Sequence, residues 1–96
     1  VDRLGERYVL METSIKMYSC CHLIHAGFDG IKELRAERPI DPDEVQHIRV
    51  STSTPSLIAH VGVIKRPPDV LAAQFSMSFS LAMMLHGYDC WWWDYQ

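Results

Sequence analysis

The chain has 96 residues, 48% of them hydrophobic and 22% charged, with a formal net charge of −3. That length holds one domain at most, contains no apolar run near the ~18 residues of a membrane span, and without a basic block offers no footing for nucleic acid or an anionic membrane. Five of the ten aromatic residues (Tyr88, Trp91, Trp92, Trp93 and Tyr95) fall in the last nine positions. A domain of this size buries only ~60–65% of its unfolded surface, so such a tail either caps the core or covers a partner.

In chain order, residues 1–7 are polar and read as a flexible lead-in. From Tyr8 to Lys16 the residues alternate, with Val9, Met11, Thr13 and Ile15 on one face and Glu12, Ser14 and Lys16 on the other. This is the period-2 pattern of a half-buried strand. From about Cys20 the period becomes helical. Ile24, Phe28 and Ile31, flanked by Leu23, Gly27 and Leu34, form an apolar stripe opposite Lys32, Glu33, Arg35 and Glu37. Gly27 and Gly30 each weaken a helix by ~1 kcal/mol, which suggests close packing against a neighbour. Pro39 ends this helix, and Asp41-Pro42-Asp43-Glu44 reads as a turn.

A second strand is expected over about Val45 to Thr52, with Ile48 and Val50 inward. Thr54-Pro55 then opens a short helix through His60. After the loop Lys65-Arg66-Pro67-Pro68, Asp69 is placed to cap a last helix from about Val70 to Leu85, stopped by Gly87. That helix is apolar all round and carries no charge between Asp69 and His86. Such a helix needs cover on every side, more than two strands and two other helices supply. The fold class expected is therefore α+β: a small two-layer α/β unit of order β-α-β-α(short)-α, completed by self-association. Cys20, Cys21 and Cys90 are an odd set and make no disulfide framework, and no leader pattern opens the chain. Reduced thiols and a cytoplasmic location are the matching expectation.

The stretch Lys16-Met17-Tyr18-Ser19-Cys20-Cys21-His22-Leu23-Ile24-His25-Ala26-Gly27-Phe28-Asp29 resembles the signature of the MmgE/PrpD family, a Lys-x-Tyr-Pro-x-Cys-like turn followed by a helix with a histidine and an Ile-Asp pair. Asp41-Pro42-Asp43-Glu44-Val45-Gln46-His47-Ile48-Arg49-Val50 and Ala73-Gln74-Phe75-Ser76-Met77-Ser78-Phe79-Ser80-Leu81-Ala82 resemble it in the same order. The resemblance covers residues 8–87 and implies part of the family's smaller α/β domain. The large helical domain, which supplies much of that family's active site, has no counterpart among these residues. Residues 88–96 resemble nothing in the family, and a truncated coding region with a new reading after Gly87 is the expected origin. The family's activities are dehydration, decarboxylation and epimerisation of small polycarboxylates, without a cofactor.

By this resemblance Lys16 and His25 are the candidate catalytic residues, and Lys16, Tyr18 and His25 the candidate substrate-binding set. A lysine at a strand end stabilises charge developing on a carboxylate, and a histidine serves in proton transfer. Two departures weaken the inheritance. Ser19 stands where the motif has proline, and Phe79 stands where the family often places a tyrosine. Cys20, Cys21, His22 and His25 also invite a metal reading, but zinc sites space their cysteines further apart and draw ligands from two segments, so no metal is expected.

The expectation is a non-catalytic partial domain that forms a homo-oligomer, a dimer by preference, through Phe75, Phe79, Met83, Trp91, Trp92 and Trp93. The enzymatic alternative is a lyase or isomerase component for a small polycarboxylate such as 2-methylcitrate or cis-aconitate. A third reading is an interaction module that uses the aromatic tail.

Overall fold

The computed structural model describes residues 3–96, so the lead-in expected at residues 1–7 falls partly on Val1 and Asp2, outside the described residues. Among the described residues the regular structure is helical, and no strand forms. Helix α1 runs His25–Glu37, α2 Pro55–Leu57 with a π turn Ile58–Gly62 continuing it, α3 Val70–Gln74 and α4 Met77–Leu85. Short 3₁₀ turns lie at Val9–Glu12, His22–Ile24, Pro42–Glu44 and Trp92–Tyr95.

The expected α+β class with its β-α-β order is therefore incorrect. Val9–Glu12 winds into a 3₁₀ turn, and the face assigned to a core lies in solvent, with Met11 84% and Ile15 91% exposed. Val45 begins an extended run (φ −77°, ψ 107°), but the residues after it build no ladder, and Ile48 and Val50 are each 44% exposed. Alternation specifies an extended, two-faced segment. It does not supply the neighbour whose N–H and C=O groups complete a strand, and without that neighbour the backbone stays bonded to water.

The helices follow their sequence signals closely. Ile24 and Phe28 are fully buried and Ile31 nearly so, as the apolar stripe of α1 requires. Arg38, held extended before Pro39 (φ −157°, ψ 149°), ends that helix. Asp69 caps α3 by accepting from the Ala72 N–H at 2.7 Å. Gly87, at φ +92°, ends α4: its N–H bonds the Met84 carbonyl at 3.2 Å and the Tyr88 N–H bonds that of Met83 at 3.1 Å. This is the pair of bonds that closes a helix on a left-handed glycine.

The expected single helix over residues 70–85 is broken at Phe75-Ser76. Ser76 is fully buried and extended (φ −101°, ψ 108°). Its hydroxyl accepts from the Phe79 N–H at 3.1 Å and donates to the Ile64 carbonyl. A serine hydroxyl bonded this way starts a new helix more readily than it continues an old one.

The core lies where α1 crosses α4. Ile24, Phe28 and Ile31 join Met77, Leu81, Met83 and Met84, with Val61 from the π turn. Gly27 lets Leu81 in: a Cβ there would stand 2.9 Å from Leu81 Cδ2. Gly30 faces open space, so the close packing suggested for both glycines holds at Gly27 alone. The tail closes the cluster with Cys90 and Tyr95, both buried, and Ser80 and Tyr95 share a hydroxyl–hydroxyl bond of 2.9 Å. Among the described residues no helix is long and apolar enough to cross a membrane.

Candidate functional site

The turn at residues 18–21, just ahead of α1, carries Tyr18, with Lys16 two residues before it and His25 at the start of α1. Three bonds strap the turn to distant parts of the chain. The Ser19 N–H donates to the Cys90 carbonyl at 3.1 Å, and the Cys21 N–H to the Gln74 carbonyl at 2.8 Å. Gln74 also donates from its side-chain Nε2 to the Ser19 carbonyl at 2.7 Å. Gln74 thus grips the turn through backbone and side chain together. Sequence reasoning quoted Gln74 within a motif and gave it no role, although a lone amide in an otherwise uncharged helix is a usable signal that a polar partner is near.

Lys16 is exposed, and its ammonium donates to the Cys20 carbonyl at 3.3 Å. With Ser19, Cys20, Cys21, Gln74, Phe75 and Trp92 it lines an open cleft of about 280 Å³. His25 lies below the turn, only 9% exposed, and its Nε2 is buried with no hydrogen-bond partner. Burial holds the imidazole below its usual pKa, and the neighbouring His22, with ring centroids 4.9 Å apart, pushes in the same direction. Tyr18 packs edge-on against both His25 (5.1 Å) and Phe28 (4.7 Å). Its hydroxyl donates to Asp29 Oδ1 at 2.8 Å, and the Lys32 ammonium lies 4.7 Å from the ring centroid. Burial raises the Tyr18 pKa.

The three residues expected to bind substrate lie before, on and after the turn and split in role. Lys16 faces the cleft. Tyr18 and His25 form the supporting layer beneath it, with the Tyr18 hydroxyl turned to Asp29 and away from any ligand. The cleft can hold an anion against one cation and the amide of Gln74. His25 does not line the cleft, and its unbonded ring nitrogen is buried.

The residues expected at an oligomer interface are divided. Trp91, Trp92 and Trp93 are 43–58% exposed, and the first and last of them stack at 5.7 Å. Phe75 and Phe79 are exposed at the surface, Phe75 lining the same cleft as Trp92 and Phe79 lying near Tyr95, whereas Met83 is buried within the chain. Cover for α4 comes from Tyr95 and Cys90. Among the described residues no three histidine, cysteine or acidic side chains converge as metal ligands.

A larger cleft of about 480 Å³, absent from the sequence reading, lies between residues 42–50 and α4. Val45, Ile48, Leu81 and Leu85 line it together with His47 and His86.

The MmgE/PrpD C-terminal domain family matches residues 18–96, a stretch that begins at Tyr18 and takes in the aromatic tail. Cis-aconitate decarboxylase of Aspergillus terreus is 31% identical over 97 residues, covering 94% of this chain. The protein of that name from strain NIH 2624 / FGSC A1156 gives the same identity and coverage. The chain spans about a fifth of the length of these relatives, 20% in each case. No solved structure matches it significantly.

Proposed function

Because the chain belongs to the MmgE/PrpD family, as a partial C-terminal domain, we propose that it carries the Lys16 edge of a small-polycarboxylate site and is not catalytic as these 96 residues alone. The carrying observation is the asymmetry of the cleft. Among the described residues Lys16 offers an ammonium bonded to one backbone carbonyl, beside an open volume of about 280 Å³, and burial disfavours the charged form of His25 nearby. A cation on an open surface attracts a carboxylate. It neither fixes a reacting bond nor excludes water, and most of the rate enhancement of such reactions comes from that positioning. The relatives' name supplies the ligand class, cis-aconitate being a small tricarboxylate.

Turnover assays with cis-aconitate, alongside NMR titration with a tricarboxylate, test both halves. No turnover is expected, with weak shifts around residues 16–21 that vanish in Lys16→Ala. Turnover by the chain alone removes the non-catalytic half, and binding unchanged in Lys16→Ala removes the assigned cation.

The chain also self-associates in this reading, as a homodimer, through Phe75, Phe79 and Trp91 to Trp93. The support is the exposure of these large apolar side chains, with Trp91 stacked on Trp93 and Phe75 sharing a cleft with Trp92, since exposed apolar patches mark association sites. Light scattering tests it: a stable monomer at micromolar concentration refutes it.

A further inference from the structure

We propose that Cys20 and Cys90 form an oxidisable pair whose disulfide staples the aromatic tail to the turn that carries Lys16. The two residues come from opposite ends of the fold, yet their backbones are already joined one position away, where the Ser19 N–H donates to the Cys90 carbonyl at 3.1 Å. Both thiols point into the same buried cluster, Cys90 being fully buried and Cys20 5% exposed. Tyr95 is buried in the same cluster and bonds the Ser80 hydroxyl, while Cys90 faces the Ser80 carbonyl. Among the described residues each thiol makes one long, weak bond: Cys20 donates to the Cys21 carbonyl at 3.6 Å and Cys90 to that of Ser80 at 3.7 Å. Cys90 takes a left-handed backbone (φ +58°), unusual for a residue with a Cβ.

The third thiol is a poor competitor for Cys20. Consecutive Cα atoms stand ~3.8 Å apart, below the ~4.4–6.8 Å that an unstrained disulfide spans.

The oxidant required is a hydroperoxide. Cys20 lines the Lys16 cleft and meets it first. The Cys20 thiolate attacks the terminal peroxide oxygen and the O–O bond breaks, leaving a sulfenic acid and an alcohol (water, for hydrogen peroxide). The Cys90 thiolate then attacks that sulfur. The S–S bond forms and hydroxide leaves, taking up a proton as water. Two thiols lose two electrons and two hydrogens, and the hydroperoxide gains them. Burial pushes the Cys20 thiol up to about 11 and that of Cys90 up to about 12. Both therefore hold their protons at neutral pH, and the reaction waits on local opening of the tail.

The test is peroxide treatment of the full chain, followed by non-reducing digestion and mass mapping. A Cys20–Cys90 peptide lighter by two hydrogens is expected in the wild type and in Cys21→Ser, and none in Cys90→Ser. Closing a loop of about 70 residues should raise the Tm by roughly 10 °C or more, reversed by dithiothreitol. Linkage through Cys21, linkage between chains, or three titratable thiols after treatment of the folded wild type would each overturn the proposal, and none of these readings depends on how the variants fold.

Discussion

His25 shows how a side chain that looks chemical in sequence becomes part of a supporting layer. Its Nε2 is buried without a partner, and burial lowers its pKa. An unfolded histidine takes up a proton near pH ~6.5. The folded imidazole resists that proton to lower pH, so folding stability contributed here is lost as pH falls below ~6.5. Melting curves from pH 7 to 5 should therefore slope less in His25→Leu than in the wild type, and equal slopes would refute the assignment. The alkaline side runs the other way. Cys20 and Cys90 keep their protons up to about 11 and 12, whereas unfolded thiols ionise near ~8.5. Stability should thus decline as pH rises above ~8.5.

Ser80 and Tyr95 make a second test at this scale. Their shared bond of 2.9 Å lies in the core, so Ser80→Ala strands a buried hydroxyl and should cost about 1–3 kcal/mol in urea melts. Combining it with Tyr95→Phe should recover part of that loss, because no unpaired polar group then remains.

At the scale of elements, caps and breakers were legible and pairing was not. Asp69, Pro55, Pro39 and Gly87 each mark a helix boundary through a local bond or a steric limit, and such effects need no distant partner. Ser76 belongs to the same class and was read past, because the apolar period ran across it. Its deciding partner, the Ile64 carbonyl, lies twelve positions back on another segment. The two glycines of α1 separate local from tertiary effects. Gly30 meets nothing within 4 Å, so Gly30→Ala should stabilise by about 0.5–1 kcal/mol through helix propensity. Gly27 lies against Leu81, and Gly27→Val should destabilise by about 1–3 kcal/mol through overpacking. Thermal melts of the two variants should move in opposite directions.

At the scale of the whole molecule, the chain exposes 7697 Å², against about 5,700 Å² for a compact monomer of its mass. Its radius of gyration is 16.2 Å, against roughly 12–13 Å for a compact domain of this length. The excess of roughly 2,000 Å² on one chain is more than twice the ~800 Å² that each partner buries in a standard interface. Small-angle scattering of a dimer that uses this surface should give twice the monomer's mass with a radius of gyration that grows little from 16.2 Å. Deleting residues 88–96 removes two buried side chains, Cys90 and Tyr95, and should lower the Tm by several degrees at least, since burying a residue of that size contributes about 1.5–3 kcal/mol.

By itself the sequence determined the family, the helix of residues 25–37, and most helix ends. All of these rest on periods, caps and motif residues a few positions apart. Tertiary structure alone decided which of Lys16, Tyr18 and His25 faces the cleft, that Gln74 and Cys90 hold the turn, and that Tyr95 closes the core while the tryptophans remain exposed. It also decided that two alternating segments stay unpaired. The physical reason is common to all four: a hydrogen bond or a buried contact between residues tens of positions apart depends on where the rest of the chain lies, and local pattern carries no record of that.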